Sequence, residues 1–294
     1  MGEVIAALKC TADVDSLGNE EELSKILMNE TYLRGNAVCS KCQKTMTLRV
    51  KRGVLIWRCR DSKSRDCSTQ SVRKGSFFEK SKLEIATILK LVVLHVKKAS
   101  NKLIGEELKL SPNTVIDFRN FLRENALTFN RRNHQKIGGN MRVVQIDESA
   151  FHSRKYGRGT QRKELKWFFG GVCAETRQMF GEFVPDRSAR TLLAVLVKNV
   201  ELDTVVHSDD WTGYRKLGET FAKHEVVVHS KEFVSESGVH TNLIEAIWNV
   251  LKSPLKQARG TSDAMIDGYL AEGVMRYNSG DLYQEKLFDT LKLD

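Results

Sequence analysis

The chain has 294 residues, with 47 Lys and Arg against 37 Asp and Glu, a formal net charge of +10. With 41% hydrophobic and 29% charged residues the composition predicts a folded core, and three prolines exclude a proline-rich or collagen-like segment. The longest apolar stretch, Ile85 to Val96, is broken by Lys90 and His95 and falls short of the roughly 18–20 residues that cross a bilayer. Together with Glu3 and the lack of a basic-then-apolar leader, this reads as a soluble intracellular protein of about two domains.

Residues 1–30 hold two basic and seven acidic side chains and predict one short helix around Leu23, Ile26 and Leu27, peripheral to any chemistry. The charge then reverses. Residues 31–142 hold 25 basic and eight acidic side chains, net +17, whereas 143–294 are net −2. One segment therefore carries the excess positive charge. Nucleic acid is the partner this implies, because each Lys or Arg on a phosphate releases condensed counterion. A merely solvated basic surface is the weaker reading of +17 over 112 residues.

Within residues 31–75 lie four of the six cysteines: Cys39, Cys42, Cys59 and Cys67. The first two form a C-x2-C knuckle, which lets two thiolates of one turn bind one ion. Strands from Met46 to Val50 and from Val54 to Trp57, around Lys51-Arg52-Gly53, lead to Cys59. Two knuckles joined by a hairpin predict a zinc ribbon holding one structural Zn²⁺, although Cys59 and Cys67 are spaced more widely than usual. Cys10 and Cys173 stand alone and read as small buried hydrophobes.

Residues 76–137 predict a helical DNA-binding domain. An apolar face from Leu83 to Val96, capped by Ser81, precedes a short helix to Leu110, a Ser111-Pro112-Asn113 turn and a second helix from Thr114. That pair reads as a helix-turn-helix with Leu108, Val115, Phe118 and Leu122 inside, the basic surroundings and the upstream cysteine module favouring it over an ordinary antiparallel helix pair. Asn113, Thr114, Asp117, Arg119, Asn120 and Arg123 are left for a DNA groove or for solvent, and Arg131 to Lys136 for a linker.

From residue 138 onward the pattern changes. Strands are predicted at Met141–Ile146, Leu165–Val172 and Met179–Val184, a helix at Ala189–Val200, and a strand at Thr204–His207. A helix at Tyr214–Phe221, a strand at Glu225–His229, and helices from Thr241 and at Asp263–Tyr277 follow. Three sequential strands followed by alternating helix and strand are the order of a ribonuclease-H-like α/β fold, in which the first and fourth strands are neighbours. Apolar strands run into Asp147 and Asp209, and Glu245 falls in the first turns of the later helix. Three such carboxylates suit Mg²⁺ or Mn²⁺, and two ions would serve an in-line phosphoryl displacement. Chemistry alone does not separate Asp147 from Glu148 or Asp209 from Asp210. His240 and Asn242 flank Glu245, placed either to position water or DNA or to cap the helix.

These residues carry a resemblance. Gln145-Ile-Asp-Glu-Ser, Lys155-Tyr-Gly-Arg-Gly, Phe169-Gly-Gly, Arg187-Ser-Ala-Arg-Thr-Leu, His207-Ser-Asp-Asp-Trp-Thr-Gly-Tyr and His240-Thr-Asn-Leu-Ile-Glu-Ala-Ile-Trp resemble the motifs of DDE transposases of the Merlin superfamily. So do the four cysteines and Ser71-Val-Arg-Lys-Gly-Ser-Phe-Phe, and the likeness spans about residues 31–280. It implies a transposase that binds terminal inverted repeats, cleaves at element ends and joins the 3′ hydroxyl to target DNA, as a dimer or larger assembly in the nucleus. It selects Asp147, Asp209 and Glu245 as the catalytic ligands of two Mg²⁺ ions, and makes Asp210 a departure from the family's usual glycine. Lys155 and Arg158 would contact DNA phosphate near the scissile bond. The alternative is a transposase-derived DNA-binding protein without chemistry, and loss of a triad residue would have favoured it.

Overall fold

The computed structural model describes residues 4–60, 66–151, 166–227, 240–258 and 261–293. They divide into two compact units, one of residues 1–126 with 281–294, the other of residues 127–280.

In the first unit the opening residues are core, not periphery. Helices α1 (Thr11–Ser16) and α2 (Glu20–Asn29) bury Val14, Leu23 and Leu27, with Ile5 and Leu8 ahead of them. Asn19 accepts from the N–H groups of Glu21 and Glu22, and the Glu22 carboxylate accepts from Asn19 N–H, a capping box. Both helices pack on α3 (Ile85–Val96), which buries residues on every side and is the centre of this unit. Its own cap residue, Glu84, supplies no side-chain bond. Glu20 does so instead, accepting from Ile85 N–H at 2.9 Å while pairing with Arg73. Ser81, expected as the cap, bonds Leu83 N–H one turn earlier. The last residues join this unit as well. Helix α9 (Tyr283–Asp289) buries Tyr283, Leu287 and Phe288, Gln284 donates to the carbonyls of Ala6 and Leu8, and Leu293 N–H donates to Thr31.

Strands β1 (Thr47–Lys51), β2 (Val54–Arg60) and β3 (Asp66–Ser71) form an antiparallel sheet in that order. The first two match the expected hairpin; the third was not legible. Helices α4 (Asn101–Leu108) and α5 (Pro112–Arg132) are joined by three residues. Ser100 caps α4 through Leu103 N–H, and Lys109 closes it in the left-handed region at φ 53°. Ser111 caps α5 through Thr114 N–H, so α5 starts at Pro112 rather than Thr114. Proline suits that first position because its missing N–H would have had no helical partner.

The second unit is a five-stranded sheet of order β6-β5-β4-β7-β8, from β4 (Val143–Phe151), β5 (Lys166–Cys173), β6 (Met179–Val184), β7 (Val205–Asp209) and β8 (Lys223–Val227). Strands β4, β5 and β6 run antiparallel in series, while β7 and β8 are parallel to β4 and to each other. This is the ribonuclease-H-like arrangement expected from the order of elements. Helix α6 (Ala189–Asn199) covers one face, where Leu192 and Leu196 join Val144, Ile146, Phe169 and Val206. Helices α7 (Asn242–Gln257) and α8 (Asp263–Ser279) serve the other, where Ile244, Trp248, Ile266 and Leu270 meet Phe151, Phe168 and Val172. The segment expected as a helix at Tyr214–Phe221 is two single 3₁₀ turns, Thr212–Tyr214 and Leu217–Glu219. Among the described residues no helix is long and apolar enough to cross a membrane.

Candidate active site

Strand β4 does not stop at Asp147 but continues to Phe151, paired with β5 throughout. Only its parallel pairing to β7 stops early, at Gln145 opposite His207. Two residues further along each strand lie Asp147 and Asp209, of the same parity and hence on the same face. That face is the one covered by α7, because Trp248 Nε1 donates to Asp147 Oδ2 at 2.9 Å. Glu148 points to the opposite, α6 side, beside Tyr214 and Arg187. Alternation along one strand thus separates the two neighbouring acids that the sequence left equivalent. Asp210 is exposed beyond the end of β7.

Helix α7 brings Glu245 to this face in its first turn, and the attachment is specific. Gln145 Oε1 accepts from Leu243 N–H at 3.0 Å and from Ile244 N–H at 3.3 Å, so a side chain of β4 caps the helix. With its oxygen taken by two backbone donors, the Gln145 amide donates to His240 Nδ1 at 3.1 Å. This places the proton of a neutral His240 on Nε2. Thr241 donates to Glu245 Oε1 at 3.0 Å, whereas Asn242 is exposed. The Phe169-Gly-Gly sequence also has its reason here. Gly170 lies opposite Asp147, and a Cβ there would come within 2.8 Å of the Trp248 ring and 2.6 Å of Phe180 O. The missing side chain lets the indole lie across β5 and reach Asp147.

Electrostatics mark the same place. Burial pushes the Asp147 carboxyl up to about 6, partly offset by the Trp248 and Glu148 N–H donors, and the charges of Asp209 and Glu245 push it further up. Burial likewise pushes Glu148 up to about 7, with the Tyr214 hydroxyl acting against it. Tyr214 Oη and Glu148 Oε1 are nevertheless buried without a direct hydrogen-bond partner. The three carboxylates on the α7 face are held separately, Asp147 by Trp248, Asp209 by Trp211 N–H at 3.1 Å and Glu245 by Thr241. They are not drawn within 4.8 Å of one another, unlike the cysteines. A set of mutually repelling carboxylate oxygens fits a hard divalent cation.

The thiols are already gathered. All four sulfurs of Cys39, Cys42, Cys59 and Cys67 lie within 4.8 Å of one another, with Cys39–Cys67 at 3.7 Å and Cys42–Cys59 at 3.4 Å. Tetrahedral Zn–S bonds of ~2.3 Å put sulfurs roughly 3.8 Å apart, so the cluster is compatible with a zinc ribbon. The Ser68 hydroxyl and Cys42 N–H draw the Cys39 thiol down to about 6, while Cys42 and burial push Cys59 up to about 12. One thiolate forms readily and opposes the next, an arrangement a cation relieves.

The remaining expected residues are placed as follows. Asn113 and Thr114 sit in the first turn of α5, Asn113 exposed. Arg119 donates to Ala99 O at 3.0 Å and Asn101 Oδ1 at 2.7 Å, bracing the start of α4. Arg123, expected to face a groove or solvent, is instead buried, 5% exposed, and donates to Asn120 Oδ1. A long aliphatic stem permits such burial, which charge alone does not reveal. Lys155 and Arg158 lie outside the described residues. The sequence reading assigned no role to Gln145, Trp248 or Arg187. The first two had a signal: Gln145 shares strand parity with Asp147, and Trp248 lies one helical turn from Glu245.

Residues 138–278 match the family model of the ISXO2-like transposase domain. An uncharacterized transposase-like protein of Haemophilus influenzae is 28% identical over 99 residues, 34% of this chain and 80% of that protein. Similar solved structures include the catalytic core of HTLV-2 integrase in complex with magnesium, 11% identical over 48% of this chain and 87% of that one, TM-score 0.31. Another is the BIV integrase catalytic core, 11% identical over 47% and 83%, TM-score 0.32.

Proposed function

We propose that this chain, whose residues 138–278 match the ISXO2-like transposase domain, is a DNA transposase that cleaves at element ends and joins the freed 3′ hydroxyl to target DNA. The observation that carries the reading is that Asp147 and Asp209, on two adjacent parallel strands, share one face of the sheet with Glu245 of the helix docked on it. Asp147, Asp209 and Glu245 would hold two Mg²⁺ or Mn²⁺ ions, which supply activation of the attacking oxygen and stabilisation of the leaving oxygen. Trp248 orients the Asp147 carboxylate, and Gln145 sets the height of Glu245 by fixing the first turn of α7. Zn²⁺ in the four-cysteine cluster would stiffen the three-stranded sheet. The basic first unit would bind double-stranded DNA, with α4 and α5 as a helix-turn-helix whose Asn113 and Thr114 approach the terminal repeats. Lys155 and Arg158 would approach phosphate near the scissile bond. Cutting two ends and joining them requires at least a dimer on DNA.

The test incubates purified protein and Mg²⁺ with duplexes carrying candidate element ends and a target plasmid. Cleaved and joined products, lost in Asp147→Asn, are the expected result. DNA binding by the wild type without any Mg²⁺- or Mn²⁺-dependent product would instead select the DNA-binding protein without chemistry.

A further inference from the structure

Arg187 follows β6 and immediately precedes Ser188, the cap of α6. Its guanidinium carbon lies 3.9 Å from the centre of the Trp167 ring and 4.2 Å from that of Trp211. The cation is thus held by its flat faces against two indoles. Trp211 Nε1 donates to the Arg187 carbonyl at 3.3 Å, and Gly213 allows that approach, since a Cβ there would come within 2.9 Å of Nε1. Stacking uses the π faces of a guanidinium and leaves its N–H edge in the plane. Among the described residues that edge has no hydrogen bond or ion pair; its charge acts on the buried Glu148 carboxyl, which it pulls down against burial, and the adjacent Asp186 turns its carboxylate to Ser188 N–H. A half-buried arginine, immobilised and with unused donors, is preorganised for an anion.

Its position says which anion. Trp211, the indole against Arg187, donates its own backbone N–H to Asp209 Oδ1 at 3.1 Å. Trp167 lies on β5 opposite Ala150, three residues past Asp147 on β4. The fork therefore stands on the α6 side of the same strand ends whose α7 side carries the three carboxylates. A DNA strand crossing those ends would offer it a backbone phosphate. Planar bidentate contact with a phosphodiester is what a fixed guanidinium does best, and the stack has removed its conformational freedom beforehand.

We propose that Arg187, held between Trp167 and Trp211, is a clamp for a DNA backbone phosphate adjacent to the phosphate that reacts. This rests on the transposase reading for its ligand class. The experiment uses the full chain and a fluorescent random-sequence duplex, with Ca²⁺ present, titrated at several salt concentrations. Arg187→Gln keeps a planar group without charge; Arg187→Lys keeps the charge without the fork. Arg187→Gln should weaken binding about tenfold and reduce the slope of log affinity against log salt by about one, while the variant still unfolds cooperatively at a somewhat lower melting temperature because the stack is lost. Arg187→Lys should retain the slope and lose affinity several-fold. A folded Arg187→Gln protein with wild-type affinity and slope overturns the clamp. If that variant does not fold, an Arg187→Lys protein with wild-type affinity overturns it. Wild-type cleavage is measured in parallel with Mg²⁺: binding without cleavage removes the transposase reading while the slope still judges the clamp, and cleavage with an unchanged slope in Arg187→Gln removes the clamp alone.

Discussion

Cys39 and Cys67 are 28 positions apart and their sulfurs stand 3.7 Å apart, whereas Asp147, Asp209 and Glu245 come from β4, β7 and α7 and remain more widely spaced. The thiols are gathered by one short sheet and the turn before it, so local structure and ligand geometry arise together. The carboxylates depend on strand crossing and helix docking, and each is steadied by its own donor: Trp248, the Trp211 N–H or Thr241. A local cluster invites a structural ion that completes the fold. A dispersed one keeps its ligands adjustable, which suits ions that must also accept waters and phosphate oxygens.

The comparison breaks first at its chemistry. Asp147→Asn should lower cleavage by several orders of magnitude while leaving DNA affinity nearly intact, measured by product formation and by titration with labelled duplex. Retained cleavage would remove Asp147 from the site. The thiol cluster is tested by Cys42→Ser. A structural zinc supplies on the order of 10 kcal/mol of folding free energy, so the sheet of β1–β3 should melt, metal analysis should show less zinc, and DNA binding should fall. The second unit should keep its own melting transition. Wild-type reduced protein without zinc would contradict the ribbon.

A third prediction concerns charge repulsion at the carboxylates. Burial pushes the Asp147 carboxyl up to about 6 from the ordinary aspartate value of 3.8. The folded state therefore binds more protons between these values, and the Asp147 contribution to stability falls as pH rises from about 4 to 6, with Glu148 on the opposite face extending the fall to about 7. The loss, on the order of 1–3 kcal/mol, is complete above the folded pKa and is relieved by divalent ions. Thermal melts with and without Mg²⁺ across this range should show it, and Asp147→Asn should remove the Asp147 part of the slope, leaving that of Glu148 up to about pH 7, and melt higher than wild type at pH 7 with chelator. The smallest effect expected is at the helix cap. Gln145→Ala leaves Leu243 N–H and Ile244 N–H without their acceptor, costing about 1 kcal/mol and roughly 2–4 °C in the melting temperature. Its signature beyond stability should be a higher Mn²⁺ concentration for half-maximal cleavage, because the first turn of α7 carries Glu245. An unchanged Mn²⁺ dependence would reduce Gln145 to ordinary packing.

Much was written along the chain itself. The five strands from residue 143 onward, helices α6, α7 and α8, the cysteine set, the reversal of charge at residue 31 and the apolar runs that lead into Asp147 and Asp209 all follow from local patterns, the elements from periods of 2 and 3.6. A period of 2 says that Asp147 and Glu148 face opposite ways, but not which way leads to Asp209 and Glu245. That was decided by α7 lying on one side, with Trp248 on Asp147 and Gln145 capping the helix from 98 positions away. The same limit explains the first unit. Nothing near Glu20 announces that it caps α3 at Ile85, nothing near Tyr283 that residues 281–294 join the opening helices, and nothing in the charge of Arg123 that it is buried. Hydrogen-bond partners and burial are properties of pairs brought together by the chain's path. A residue carries the capacity to donate, accept or repel; only packing chooses the group it meets.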